Sequence, residues 1–314
     1  MYIGYAFHRG VLKTFFLYRF FFLSFEKILK MKKLFFLIVG IAFCSVVKVN
    51  AQFHDIKKVE TAKELQKKKL LVSLSNEAEI NAELEKLLPS KWTFTPFKVI
   101  PEKDLINYKG SKEYMSLRDV EFTRTKERRS GLYSYSTSFF GVVNSCNVKK
   151  SSINDLIMYS LTDEGIMEEN PMAELLRQIS LVNSFANYAV TCKVDGEIGF
   201  KRQMIESPIS NISGLEEKTL MIRESYLKGT IEEVKGVYKG KVELATEKQI
   251  AEAILQSDDS KAILSYSHDG YVHGFFIVMS PANGHIYHFD FRNNKFSKPS
   301  LKPSEIAKFL NPKK

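Results

Sequence analysis

Along this chain, stretches whose apolar residues recur at every second position alternate with stretches where they recur every third or fourth. The first period marks strands and the second marks helices. Ahead of both lies an unbroken apolar run, Leu34 to Val47, entered through Lys32-Lys33 and left through Val49-Asn50-Ala51. A basic entry, a run of that length and compact residues at −3 and −1 predict a secretory signal peptide over 31–51, starting at Met31 and cut before Gln52. The run is too short for a good transmembrane helix. Residues 1–30 are rich in phenylalanine but broken by Lys13 and Arg19, and they read as an over-extended start without structure.

After a polar, Lys-rich segment from Gln52 to Lys69, the sequence Leu70-Leu71-Val72-Ser73-Leu74 reads as a buried strand. Asn76-x-x-Glu79 has the form of a capping box. Ile80, Leu84, Leu87 and Leu88 follow at helical spacing, and Pro89 is expected to end that helix. Lys91–Thr95 reads as an alternating, strand-like entry around Trp92, the only tryptophan. Phe97–Ile100 reads as a strand, Pro101–Tyr108 as a helix and Glu113–Leu117 as a strand. This β-α-β-α-β order is that of an α/β layer. Val120–Thr125 and Leu132–Val143 both alternate and flank a charged turn, which predicts a long hairpin.

Asn170-Pro171 supplies an N-cap and a first-turn proline. Met172, Leu175, Leu176, Ile179, Val182, Phe185, Ala186 and Ala189 then form the longest amphipathic stripe of the chain, predicted to cover one sheet face. Lys193–Gly214 reads as a loop or irregular hairpin. Thr219–Ile222 and Lys241–Leu244 read as strands, and Thr230-x-x-Glu233 and Thr246-x-x-Gln249 as capping boxes opening two helices. Three strands follow, Ala262–Ser267, Val272–Ser280 and Ile286–Phe291, joined by Asp-Gly and Asn-Gly turns. Ser304–Leu310 is a closing helix. Phe275, Ile277 and Met279 share one face of the second strand while Phe276 and Val278 share the other, so it should lie centrally with both faces covered. In the third strand Tyr287, Phe289 and Phe291 share one face and His288 and Asp290 the other, which suggests a strand near an edge with the latter two as a surface pair.

Two stretches echo each other. Lys98–Ile106 followed by Tyr114–Leu117 matches Lys241–Ile250 followed by Ile263–Tyr266, each a strand, a short helix and a strand. A duplicated β-α-β unit and chance similarity of two common segments both account for it. The expected architecture is α/β (or α+β): mixed β-sheets with helices on their faces and a C-terminal three-stranded meander, in halves 52–165 and 166–314.

Charge changes this picture less than it first suggests. The chain carries 46 basic and 36 acidic residues, a net charge of +10. The first 51 residues hold eight of the basic residues and one acid, so residues 52–314 carry 38 against 35, or +3. A strongly basic balance would point to nucleic acid; most of it leaves with the signal, and no nucleic-acid partner is expected. Two cysteines, Cys146 and Cys192, remain beyond the signal. A structural disulfide and two separate buried thiols both fit that count. Pairs such as Glu168-Glu169 and Asp258-Asp259 read as solvated turns.

Candidate chemistry gathers near the C-terminus. His268, His273, His285 and His288 fall within 21 residues, beside Asp269 and Asp290. Imidazole and carboxylate are zinc ligands, and His288, Asp290 and His273 are the candidate metal ligands. The segment Val272-His273-Gly274 through Phe289-Asp290 also resembles the His…Asp half of papain-like and transglutaminase-like thiol enzymes. That resemblance implies an imidazole at His273, oriented by Asp290, activating a nucleophile at Cys146. Those families place the nucleophile at a helix N-terminus, whereas Cys146 follows a strand. No phosphate-binding glycine loop and no G-x-S-x-G elbow occurs, and no cofactor is expected. With its signal ending in Ala51-Gln52, its Lys-rich mature start and this α/β core, the chain resembles uncharacterised secreted α/β proteins of Bacteroidota; the resemblance carries no motif and implies no activity. The expectation is an exported protein, periplasmic or extracellular, with no transmembrane span after cleavage. It would bind a ligand or envelope component without catalysis; the alternative is a hydrolase using the 268–290 hairpin.

Overall fold

The computed structural model describes residues 63–128, 131–146, 155–191, 212–268, 274–292 and 299–309. All of them lie in one compact unit, Gln52–Lys314; the expected signal peptide lies outside the described residues. The chain is α/β, with two mixed five-stranded sheets. The first sheet contains β1 (Lys69–Val72), β2 (Phe97–Val99), β3 (Tyr114–Arg128), β4 (Gly131–Val143) and β5 (Leu156–Leu161), in the spatial order β2-β1-β3-β4-β5. The second contains β6 (Thr219–Ile222), β7 (Lys241–Leu244), β8 (Lys261–His268), β9 (Gly274–Met279) and β10 (Ile286–Arg292), in the order β7-β6-β8-β9-β10. The final three strands are antiparallel neighbours, the expected meander.

The two sheets are one pattern built twice. In each, the first strand runs parallel to both the second and the third, and the last three strands are antiparallel. Register agrees as well. Leu70 lies between Phe97 and Met115, and Leu220 between Val242 and Ala262. Ser116 faces Val143 as Ile263 faces Met279. Even the bulge recurs: the ladder skips Ile157 in β5 and Tyr287 in β10, each directly after the first pair with its neighbour. The echo between 98–106 and 241–250 lies in corresponding elements but out of register by two residues in the strands, where Lys98 answers to Glu243 and Tyr114 to Lys261. The Ile100 amide donates to the Val72 carbonyl and the Ala245 amide to that of Ile222, both at 2.9 Å. Chance likeness of two β-α-β segments does not account for shared strand order, register and bulge over ten strands.

Helices follow local chemistry with instructive exceptions. The helices α1 (Ala78–Lys91), α2 (Glu164–Glu169), α3 (Pro171–Thr191), α4 (Ile231–Val237), α5 (Glu247–Leu255) and α6 (Pro303–Ile306) connect or cover the strands. Thr230 and Thr246 make the full reciprocal capping boxes expected for α4 and α5. Asn170 caps α3 through the Ala173 amide at 2.9 Å. The Asn76 box does not form: its Oδ1 accepts from the Lys103 amide, and α1 begins after Glu77 with no side-chain cap. Pro89 does not end α1 either. Proline forfeits one intrahelical donor, but the Trp92 amide still reaches the Leu88 carbonyl at 2.8 Å, and Lys91 is anchored by tertiary contacts. Residues 101–108 form a 3-10 helix, Glu102–Tyr108. Residues 91–95, expected as a strand-like entry, form no strand: Lys91 closes α1 and 92–95 are irregular.

The helix α3 is the axis of the core. A single apolar stripe against one sheet was expected, yet 13 of its 21 residues are buried, among them Glu174, Arg177, Gln178, Ser180 and Asn183. It is enclosed because both sheets use it. The Asn183 side-chain oxygen Oδ1 accepts from the Thr93 and Phe94 amides beside the first sheet. On the other side Phe185 packs edge-on to Phe289 of β10, with ring centroids 6.4 Å apart, and Ser184 donates to the Gly284 carbonyl at 2.6 Å. The main apolar cluster accordingly takes residues from both sheets, with Leu70, Leu117 and Met158 joining Ile263, Phe275 and Ile277. The opposite face of the second sheet, with Leu220, Leu264, Phe276 and Val278, packs on α4 and α6 through Val234 and Ile306.

Candidate functional site

The hairpin that carried the candidate chemistry is core. All six residues of β9 are buried, with Phe275, Ile277 and Met279 in one cluster and Phe276 and Val278 in the other, as their alternation predicted. The strand β10 lies at the sheet edge, also as expected. Its polar face is not a surface. The bulge after Ile286 puts Tyr287 on the same side as His288, and that side is covered by the C-terminal helix. His288 is 8 % exposed, with its ring 4.7 Å from that of Phe309. The notion of an exposed His288–Asp290 pair is therefore corrected for His288, while Asp290 is half-buried opposite Phe276.

Of the residues proposed for catalysis, the structure describes Cys146 and Asp290. Cys146 is a free, fully buried thiol among Leu71, Ile100 and Leu105 on the first sheet, whereas His288 and Asp290 belong to the second. Burial pushes the Cys146 thiol up, against the pull of Arg118 and Lys68. A nucleophilic thiol needs the opposite shift. His273 and Cys192 lie outside the described residues. Among the described residues no group of three or more His, Cys, Asp or Glu side chains is placed to hold a metal ion.

The densest polar chemistry of the fold lies instead between the two repeats. Asp163 lies two residues past the end of β5 and caps α2 by accepting from the Ile166 amide. Its carboxylate accepts from Arg223 Nη1 at 2.8 and 3.1 Å, from Ser265 Oγ at 2.8 Å and from the Tyr266 amide at 3.3 Å. Arg223 in turn lies over the Tyr226 ring and donates to its hydroxyl. The Asp163 amide donates to Glu174 at 2.9 Å. Glu174 accepts a two-pronged pair from Arg177, Nε at 2.6 Å and Nη2 at 2.7 Å, while the same Nη2 reaches the Leu161 carbonyl. Glu174 and Arg177 have no side-chain exposure, and Asp163 and Arg223 have 1 % and 3 %. Burial raises the Glu174 pKa, with Arg177 opposing it.

Two carboxylates and two guanidiniums balance one another here, and the contacts of Asp163 with Arg223, Ser265 and Tyr266 join segments distant in sequence. Asp163 comes from the end of the first sheet, while Arg223 and Ser265 come from the second. A cluster so neutral and so enclosed offers no charge to a substrate; it ties one repeat to the other. A second tie lies nearby in kind. Lys91 of α1 is fully buried and donates to the Pro281 and Ala282 carbonyls in the β9–β10 turn. Burial pushes its ammonium down to about 8. The Asp163–Arg223 and Lys91–Ala282 contacts span tens of positions or more, beyond the reach of local periodicity. One local signal existed: a Glu-x-x-Arg pair embedded in the stripe of α3.

Among the described residues no helix is long and apolar enough to cross a membrane. Comparison with protein-family models, with curated proteins and with solved structures finds no match for the chain.

Proposed function

We propose that the chain is an exported, non-catalytic binding or envelope-associated protein that meets its partner through the β3–β4 hairpin. One observation carries this reading. The hairpin β8–β9 of the second repeat holds six cross-strand pairs, from Ile263–Met279 to His268–Gly274. Its counterpart β3–β4 holds those six and seven more, ending at Arg128–Gly131. Only Tyr114–Ser116 of β3 pair with β1, and only Phe139–Val143 of β4 pair with β5. From Glu121 and Ser138 outward the hairpin is a two-stranded ribbon, with no further strand beside it among the described residues. A two-stranded ribbon contributes little to its own stability. An extension absent from the sister repeat, and not needed for the sheet, suits contact with another molecule. The signal-like segment 31–51 supports export.

The alternative hydrolase reading has a direct test. Native protein carrying Cys192→Ser should leave Cys146 unmodified by iodoacetamide until denaturant is added, and purified protein should carry less than stoichiometric zinc. Rapid native alkylation that abolishes a hydrolytic activity, or one zinc per chain lost with His288→Ala, would replace the binding reading. Export is tested by N-terminal sequencing of the secreted product, which should begin at Gln52.

A further inference from the structure

We infer that the outer edge of β4, Gly131–Ser138, pairs antiparallel with the same edge of a second copy of this chain, so that two ribbons join into one four-stranded, two-fold ribbon. This rests on the reading of the hairpin extension as the interaction element and names its partner.

The ribbon has two outer edges of opposite character. Along β3 the sequence Glu121-Phe-Thr-Arg-Thr-Lys-Glu-Arg128 carries five charges. Charged residues are what keep an open strand edge from recruiting another strand. Along β4 the sequence Gly131-Leu-Tyr-Ser-Tyr-Ser-Thr-Ser138 has no charge and no proline. Eight such residues span about 27 Å of backbone donors and acceptors, at roughly 3.4 Å per residue. The opposite edge of the second repeat has no such stretch, since β10 pairs along β9 as far as Gly274.

Charge also selects the partner. Two β3 edges brought together antiparallel about Lys126 would set Lys126 against its own copy and Arg124 of each chain against Arg128 of the other, and like charges placed opposite oppose pairing. Two β4 edges bring no charge together. With the two-fold axis at Ser134, Tyr133 of each copy lies opposite Tyr135 of the other. Such an isologous contact closes at two chains, and the charged β3 edges left outside stop the ribbon from growing further.

Sedimentation equilibrium on the whole protein tests this. The wild-type protein should sediment at twice the monomer mass at micromolar concentration. Within the ribbon, Tyr133 is paired with Lys126 and Tyr135 with Arg124. Tyr133→Glu/Tyr135→Glu therefore adds opposite-charge pairs inside each ribbon while setting like charges across the two-fold. It should sediment as a monomer with an unchanged circular dichroism spectrum and a cooperative melt whose midpoint no longer depends on protein concentration. Lys126→Gln, on the other edge, should remain a dimer. A monomeric wild type, a dimer that survives the double substitution, or one lost with Lys126→Gln overturns the inference. None of these results bears on the thiol and zinc measurements, so failure of the dimer and failure of the non-catalytic reading are told apart.

Discussion

Removing the charge of Asp163 while keeping its shape should cost more stability than any other single-atom change in the molecule. In Asp163→Asn one carboxylate oxygen becomes an amide that can only donate. Asp163 accepts from four donors, on Arg223, Ser265, Tyr266 and Ile166, so at least one of them is left facing another donor. Arg223 also loses its close counter-ion. Its next carboxylate, Glu247, is 3.8 Å away and 42 % exposed, where solvent screens it. Breaking a buried ion pair from one side costs about 3–5 kcal/mol, because the other charge stays buried and uncompensated. We expect about 4 kcal/mol for Asp163→Asn, read by urea unfolding with circular dichroism at pH 7. With a slope of about 3 kcal/mol per molar urea, the midpoint should fall by roughly 1.3 M at constant slope. Arg223→Met alone should also destabilise, by leaving Asp163 unpaired. The double variant should cost less than the sum of the two by about 2 kcal/mol or more, since neither charge is then stranded. A loss below 1 kcal/mol for Asp163→Asn, or strict additivity in the double variant, would falsify the idea that this pair joins the two repeats.

Other expectations are simpler. The Lys91 ammonium has a folded pKa near 8 against about 10.4 unfolded, so between those values only the unfolded chain holds the proton, and stability should rise with pH across that window by about 3 kcal/mol. Lys91→Met should flatten that rise, and a pH profile identical to wild type would contradict the burial of the charge. Gly284 has φ 74°, and a Cβ there would lie 2.6 Å from the Ser180 carbonyl oxygen. Gly284→Ala should therefore cost about 2–3 kcal/mol through backbone strain and a displaced turn; thermal melting within 1 °C of wild type would show that the turn moves freely on α3. Val278→Asp should abolish folding by burying an unpaired charge between β8 and β10, which a soluble, cooperatively melting product would refute.

Periodicity served the second repeat well because its strands are short and bounded by turn residues, and its helices open on Thr-x-x-Glu and Thr-x-x-Gln. It served the first repeat less well. The strand β5, Leu156–Leu161, is wholly buried, and periodicity alone does not tell so short a run from a buried helical segment. With β5 unseen, its successor Asp163 had no assigned place, and α2 was taken for a solvated turn. The bulge at Tyr287 defeated strict alternation in β10: one extra residue puts neighbours Tyr287 and His288 on one side. Nothing in the local sequence announces a bulge. The enclosure of α3 was hidden for another reason. An apolar stripe reports one covered face, but the other faces of α3 are covered through polar residues that find partners, Glu174 with Arg177 and Asn183 with the 93–94 amides. A pattern that sorts residues only by polarity counts those positions as solvent.

The repeats also show how coverage, rather than local propensity, decides what equivalent segments become. The register that sets Ile100 beside Ala245 also sets Leu105 beside Ile250 and Ile106 beside Ala251. Leu105 and Ile250 are both buried, as each repeat needs one side chain to seal its own sheet. The next position divides them: Ile106 is 52 % exposed and Ala251 only 2 %. In the second repeat α5 is pressed between its sheet and α3, so Ile250, Ala251, Ala253 and Ile254 are all buried and a regular α-helix of nine residues results. In the first repeat the corresponding segment has only Leu105 buried, and it tightens into a 3-10 helix. A side chain as small as alanine is what close helix packing admits, and an isoleucine is tolerated where none occurs. Substituting Ala251 by Ile should therefore overpack the α3–α5 contact and destabilise by about 1–3 kcal/mol, whereas Ile106→Ala should change stability by less than about 0.5 kcal/mol. Equal effects at the two positions, measured by thermal melting, would mean that the repeats do not differ in what covers them.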